Sequence, residues 1–348
     1  MKEFKDRGKF WVLMGVFVAF FASSLSSYVD AAERKSIRWA TASTGSYGYR
    51  VAAHMTPILE AALGGEYTVT VNPYPSTTAA MKALMEGNAE IAYTADVGMT
   101  ELYAKEGAFK DYNPPKGMPV HTWYAYPMES FMAVLASKAD QFKSWKDFSG
   151  KPVFFTPAGF MNWLNFKRIF KALGYEFKHV QIGEPAQGDA LKAGTIVGAV
   201  CYTTSGKSLP SYWRETELQI DIKIVNPSEE EVKKLTAANL APVEIDPKVV
   251  FTKDVGVTKI LGVPLLFAYN VLPDMPEEIV YKMLTKFYAE KDNLVKADPG
   301  FEPLAKDFVG MQVRGINANP DIPVHPGLAK FLKEHNAWND KWKIASAK

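Results

Sequence analysis

Two stretches of this chain repeat one order of parts, a strand, a small-residue loop and a helix, and that repetition constrains the fold more than any other feature. In the first, residues 37–42 read as a strand and Ser43-Thr44-Gly45-Ser46-Tyr47-Gly48 as a turn-rich loop. A helix follows with Val51, Met55, Ile58 and Ala62 on one face, where Pro57 predicts a kink or break and Gly64-Gly65 a stop. The β-branched run 67–71 is a second strand, Ser76-Thr77-Thr78 leads a helix closed by Gly87, and 91–94 is a third strand before a short helix over 97–105. A Pro- and Gly-rich segment, 113–119, then interrupts, and a strand over 131–136 leads into a second round. Residues 152–155 form its strand, Thr156-Pro157-Ala158-Gly159 its loop and 160–173 its helix, ended by Gly174. Further pieces are a strand at 179–180, a helix over 185–192 and strands over 196–202 and 220–225. This alternation predicts an open, mostly parallel α/β sheet built in two units.

In such sheets ligands gather at the carboxyl ends of strands, where helix amino termini point. Thr44-Gly45-Ser46 and Thr156-Pro157-Ala158-Gly159 both occupy that position. Free backbone N–H groups and the helix dipole favour an anionic group there, so a cleft taking one loop from each unit is a small-anion trap. The alternative is that both loops are plain connections with glycine at strained positions. Arg50, one turn into the first helix, supplies a fork suited to a carboxylate. Tyr47, Tyr74 and Trp163 are the aromatic residues expected to shape the rest of the pocket.

The amino terminus predicts export. Lys2, Lys5, Arg7 and Lys9 outweigh Glu3 and Asp6 ahead of an apolar run over 10–22, and Val29-Asp30-Ala31 has the small-residue spacing a signal peptidase reads. The run is short for a membrane span, so a cleaved signal peptide over 1–31 and a periplasmic mature protein are expected, with an uncleaved anchor as the alternative. The formal charge of +2 falls by one with the leader. A near-neutral body gives no reason to expect nucleic acid. The single cysteine, Cys201, excludes an intrachain disulfide and lies in an apolar strand as a packed thiol.

Catalytic signatures are missing. Ser205-Gly206-Lys207-Ser208 resembles the tail of a phosphate-binding loop, but the required earlier glycine is Cys201. The five histidines form no short metal-ligand pair, and no Gly-x-Ser-x-Gly elbow occurs. Asp96 and Glu129 could face a cleft, yet two acids are no catalytic pair without geometry. No cofactor, metal or catalytic residue is therefore expected.

The order of segments resembles the solute receptors of tripartite ATP-independent periplasmic (TRAP) transporters, in the TAXI branch. The likeness begins at 37–59 and continues through 76–96, where a helix, a Gly87-Asn88-Ala89-Glu90 turn and a strand ending in Thr94 and Asp96 follow the family pattern. It extends through 151–174, 183–194, 272–281 and Val324-His325-Pro326-Gly327. The resemblance implies a two-lobed periplasmic binding protein fold, type II-like, with the ligand cleft between lobes. Lobe 1 would take 32–125 and receive the chain again over 255–348 after a crossing strand, lobe 2 would take 126–254, and the crossing strands near 124–131 and 263–269 would form a hinge. It implies a monomeric binder of small carboxylates or amino acids, without chemistry of its own, that serves a membrane-embedded permease. The expected ligand-binding residues are Thr44, Gly45, Ser46, Tyr47, Arg50, Tyr74, Ser76, Thr94, Asp96, Thr156, Ala158, Gly159 and Trp163. The second loop departs from the family's Gly-Ser-Gly-Thr-like run, with Phe160 and Trp163 either lining the cleft or packing under the helix, and Arg168 a second, weaker carboxylate partner. A ligand sensor docking on a signalling receptor and an exported α/β hydrolase are the rival functions.

Overall fold

The computed structural model describes residues 34–346, so the expected signal peptide and its cleavage site lie outside the described residues. The chain divides into residues 1–35 and a compact body of residues 36–348. Nine strands are described: β1 (Lys35–Thr41), β2 (Tyr67–Pro73), β3 (Ile91–Ala95), β4 (Tyr124–Leu135), β5 (Val153–Phe154), β6 (Gly198–Thr204), β7 (Ile222–Val225), β8 (Val243–Ile245) and β9 (Ile260–Asn270). They form one sheet in the order β2-β1-β3-β9-β4-β6-β5, with β7 beside β4 and β8 beside β9.

The two longest strands, β4 and β9, carry the sheet from one α/β unit to the other. β9 pairs with β3 from Ala92 opposite Asn270 to Ala95 opposite Phe267. It pairs with β4 from Tyr124 opposite Ala268 to Ser130 opposite Val263. β4 continues into the second unit against β6 and β7. This is a two-lobed α/β fold of the type II periplasmic-binding kind, with a mixed sheet. The sequence rhythm suggests mostly parallel pairing, and only part of it is. β1 runs parallel to β3, and β5 to β6, but every ladder made by β4 or β9 is antiparallel. The chain enters the second lobe on β4 and returns on β9, so those passes oppose each other and their neighbours.

Helices cover the sheet at the positions the local signals mark. Ser46 caps α1 (Tyr47–Ala62) by accepting from the Tyr49 amide at 3.1 Å, and Ser76 caps α2 (Thr77–Met85) through Ala79 at 3.2 Å. α3 (Asp96–Tyr103) follows β3 directly, and α4 (Met161–Leu173) stops at Gly174 with φ 75°, a left-handed position suited to glycine. α5 (Gln187–Ala193), α6 (Ser211–Gln219) and α7 (Glu229–Ala237) complete the second lobe. α8 (Glu277–Ala289) packs on α1, returning the chain to the first lobe. Pro57 does not break α1: it sits on the exposed side, where water can satisfy the carbonyl one turn earlier. The strand expected at 179–180 is reduced to a single bridge between His179 and Val153.

One aromatic cluster fills the crossing between the lobes. Tyr126 on β4 donates to or accepts from the Tyr93 hydroxyl at 2.7 Å, Tyr93 stacks on Phe267 at 4.8 Å, and the Tyr269 hydroxyl donates to the Gly48 carbonyl at 2.9 Å. Gly48 is required there, because a Cβ would overlap the Tyr93 ring. Among the described residues no helix is long and apolar enough to cross a membrane.

Candidate functional site

Three helix amino termini meet at one cleft between the lobes. Gly45, Ser46 and Tyr47 bring the start of α1, Thr77 the start of α2, and Met161 and Asn162 the start of α4. Each leaves backbone N–H groups without intrahelical acceptors, so together they set positive potential in the cleft without any charged side chain. Tyr93, Met128 and Phe267 line it from the crossing region, and Phe160, Tyr202 and Tyr212 add three more aromatic side chains. Glu184, opening a short helical turn, is the one ionisable carboxyl in the lining. The remaining cavity is about 20 Å³, room for one water-sized group.

The lobes touch directly around this cavity. The Gly159 carbonyl accepts from Thr78, through Oγ1 at 2.9 Å and the amide at 3.3 Å. Asp96 and Arg168 pair at 3.3 Å, and Glu101 and Lys167 at 3.3 Å, joining α3 to α4. On another side the Ser205 hydroxyl donates to the Gly300 carbonyl at 2.5 Å, and Lys207 pairs with Glu302 at 3.2 Å. Both loops read from the sequence thus sit at strand-to-helix turns.

Thr156 starts the second loop in an uncommon state: φ is 70°, and its buried hydroxyl has no hydrogen-bond partner. A β-branched residue pays heavily for positive φ, so the surrounding loop enforces the conformation. Gly159 follows at φ 88°, where a Cβ would come within 3.1 Å of Ser76 Oγ. The Ala158 amide donates to Gln181 at 3.0 Å, which fixes the loop tip.

The remaining residues expected from sequence are placed as follows. Thr44 is exposed and outside the lining. Arg50 is half-exposed and outside the lining; its guanidinium lies 3.3 Å from Asp298 and 4.8 Å from the Tyr47 ring. The Tyr47 hydroxyl donates to the same Asp298 at 2.6 Å, and burial, then Asp298, push its pKa well above the usual tyrosine range. Thr94 accepts from Asn270 at 2.9 Å inside the sheet. Asp96 accepts from the Leu266 amide at 3.0 Å while holding Arg168. Ser76 is the α2 cap, and Tyr74 packs against a cluster of Ala40, Ala80 and Leu84 away from the cleft. Of the two aromatics left open, Phe160 lines the cleft, whereas Trp163 packs edge-on against Phe177 at 5.8 Å.

Sequence reasoning missed Glu184, Tyr202, Tyr212 and Phe267. Glu184-Pro185 does open a helical turn just past the His179 bridge, the same local position as the two loops, and that was a usable signal. The tyrosines carried none: Tyr202 ends a strand that reads as ordinary core, and Tyr212 lies in a stretch that the sequence assigns to no element. Burial raises the Glu184 carboxyl to about 7. Burial also holds Tyr202 and Tyr212 well above the tyrosine range. A larger surface hollow of about 1000 Å³ is lined by residues 244–259 alone and gathers no helix amino terminus of the cleft.

A family model described as the NMT1-like family matches residues 39–335. The chain belongs to the NMT1-like family. The match spans both lobes and every residue lining the cleft. No curated protein sequence matches this chain. Among solved structures, the alkanesulfonate-binding protein SsuA from Xanthomonas axonopodis pv. citri, bound to MOPS, is 12% identical with TM-score 0.44, over 90% of this chain and 98% of its own. A periplasmic transporter is 14% identical with TM-score 0.47, over 82% and 96%. A structure described for glutathione import via GshT and the cystine ABC importer TcyBC of Streptococcus mutans is 12% identical with TM-score 0.46, over 77% and 95%. Likenesses of this size say nothing about the ligand of this NMT1-like protein.

Proposed function

We propose that this protein is a periplasmic solute receptor that captures a small organic anion, a carboxylate or amino acid, between its lobes and delivers it to a membrane transporter without chemistry of its own. The observation that carries this reading is the convergence of the α1, α2 and α4 amino termini on one enclosed cleft. An exposed helix terminus stabilises an anion by roughly 0.3–1 kcal/mol, and more when water is excluded. The chain division 32–125 with 255–348 against 126–254 is part of this proposal. So is the TRAP-type permease as partner, supported by the segment order resembling TAXI receptors.

The test is a thermal-shift screen of the mature protein against organic acids and amino acids, since a ligand of the folded state alone raises the apparent melting temperature. Scattering with the best compound should show a radius of gyration no larger than that of the unliganded protein. A screen in which only cations and neutral sugars stabilise the protein overturns the anion reading. Arg50 belongs to this proposal as a carboxylate partner that must exchange Asp298 for ligand. Loss of affinity by two orders of magnitude or more, about 3 kcal/mol, in Arg50→Ala supports that exchange, and an unchanged affinity leaves the anion to the helix termini.

A further inference from the structure

We propose that Glu184, Tyr202 and Tyr212 form a subsite for a protonated primary amine on the solute. This rests on the reading of the cleft as a solute site and names the second half of the solute's chemistry.

All three side chains line the cleft from the second lobe. The Tyr202 and Tyr212 rings stand edge to face, 6.2 Å between centroids, and Glu184 lines the same cavity. That hydroxyl is buried without a hydrogen-bond partner. Glu184 forms no ion pair among the described residues, and no basic side chain lines the cavity. Nearby polar groups are already committed: Asn162 Oδ1 accepts from Ser130 at 2.7 Å, and Arg50 is held by Asp298. A half-buried acid without an ion pair and a buried hydroxyl without a partner leave free energy that one donor-rich cation would recover. An ammonium supplies three N–H donors, one for Glu184, one for the Tyr212 oxygen and one for a neighbour, and its charge sits against electron-rich ring faces. A quaternary ammonium has no N–H, so it would leave Tyr212 unpaired. The helix termini line the same cavity, so one solute can present a carboxylate to them and an amine to Glu184.

The experiment compares amino acids with their desamino counterparts by calorimetry on the unmodified mature protein: phenylalanine with 3-phenylpropionate, leucine with 4-methylpentanoate, and 2-phenylethylamine as the amine lacking a carboxylate. The expected result is that within at least one pair the amine-bearing acid binds about tenfold or more tightly. That advantage should disappear in Glu184→Gln and shrink in Tyr212→Phe, a change that removes one oxygen and keeps the ring. Desamino acids binding as tightly as their partners, or a preference unchanged in Glu184→Gln, overturn the subsite. Binding of 2-phenylethylamine, lost in Glu184→Gln, with no carboxylate bound at all, upholds the subsite while removing the anion reading. No binding by any amine overturns the subsite whether or not desamino acids bind. The pairwise comparison on the unmodified protein decides the matter even if a variant fails to fold.

Discussion

Arg168 on α4 reaches across to Asp96 at the first turn of α3, 3.3 Å away, and so ties the second lobe to the first beside the crossing strands. The same guanidinium donates to Asn165 at 2.8 Å and to the Pro264 carbonyl at 3.3 Å, while Asp96 also accepts from the Leu266 amide. Both partners of the pair therefore hold β9 as well as each other. Arg168→Ala should open the lobes: scattering should give a larger radius of gyration, and urea unfolding a loss of about 1–2 kcal/mol, less than for a fully buried pair because Arg168 keeps some contact with water. An unchanged scattering curve would show that the pair does not hold the closed form.

Glu129 on β4 is buried, accepting from Thr203 at 2.6 Å and the Gly206 amide at 2.9 Å, and burial raises its carboxyl from 4.5 to about 7. The folded state thus binds the proton more tightly than the unfolded chain, which favours folding below about pH 4.5 and is lost as pH rises through 7. Glu129→Gln should flatten the decline in stability between pH 5 and pH 8, by an amount on the order of 3 kcal/mol at most. Urea midpoints of both proteins across that range measure it, and parallel curves would rule Glu129 out.

Thr156 carries two costs in one residue, positive φ and an unpaired buried hydroxyl. Thr156→Gly removes both, so the variant should gain roughly 1 kcal/mol despite the added freedom of its unfolded chain. Chemical denaturation checks this. A destabilised variant would mean that the Thr156 methyl group supplies packing worth more than the strain.

Gly48 and Gly300 are close-approach positions: a Cβ on Gly48 would overlap the Tyr93 ring, and one on Gly300 the Tyr47 hydroxyl. Gly48→Ala should lower stability by about 1–3 kcal/mol through overpacking at the crossing cluster. Gly300→Ala should in addition weaken the Tyr47–Asp298 bond, readable as a change in tyrosine absorbance on titration. Melting curves within a degree of the parent for either variant would contradict the packing.

The sequence by itself determined what is local. Serines at 46 and 76 cap the helices that follow, and glycines at 174 and 194 end theirs with φ 75° and 71°, because capping and left-handed turns need only neighbours a few residues away. The strand–loop–helix order likewise marked the turn of which Gly45, Ser46 and Tyr47 line the cleft, whereas none of Thr156, Pro157, Ala158 and Gly159 lines it. Tertiary structure decided the rest. The residues alone read only 131–136 of β4 as a strand, and the crossing role of 124–131 and 263–269 came with the TAXI resemblance. It is the pairing of β4 with β9 that makes the sheet mixed and brings Phe267 beside Tyr93. The same crossing brings Glu184, Tyr202 and Tyr212 into one cavity with Tyr47, more than a hundred residues away in the chain. Trp163 and Phe160, three residues apart, face different surroundings because α4 begins between them and its rotation turns Trp163 toward Phe177. Arg50 and Asp298 meet through a return of the chain that no local pattern encodes. Periodicity reports which face of an element is apolar, and what that face meets is fixed by the packing of distant segments.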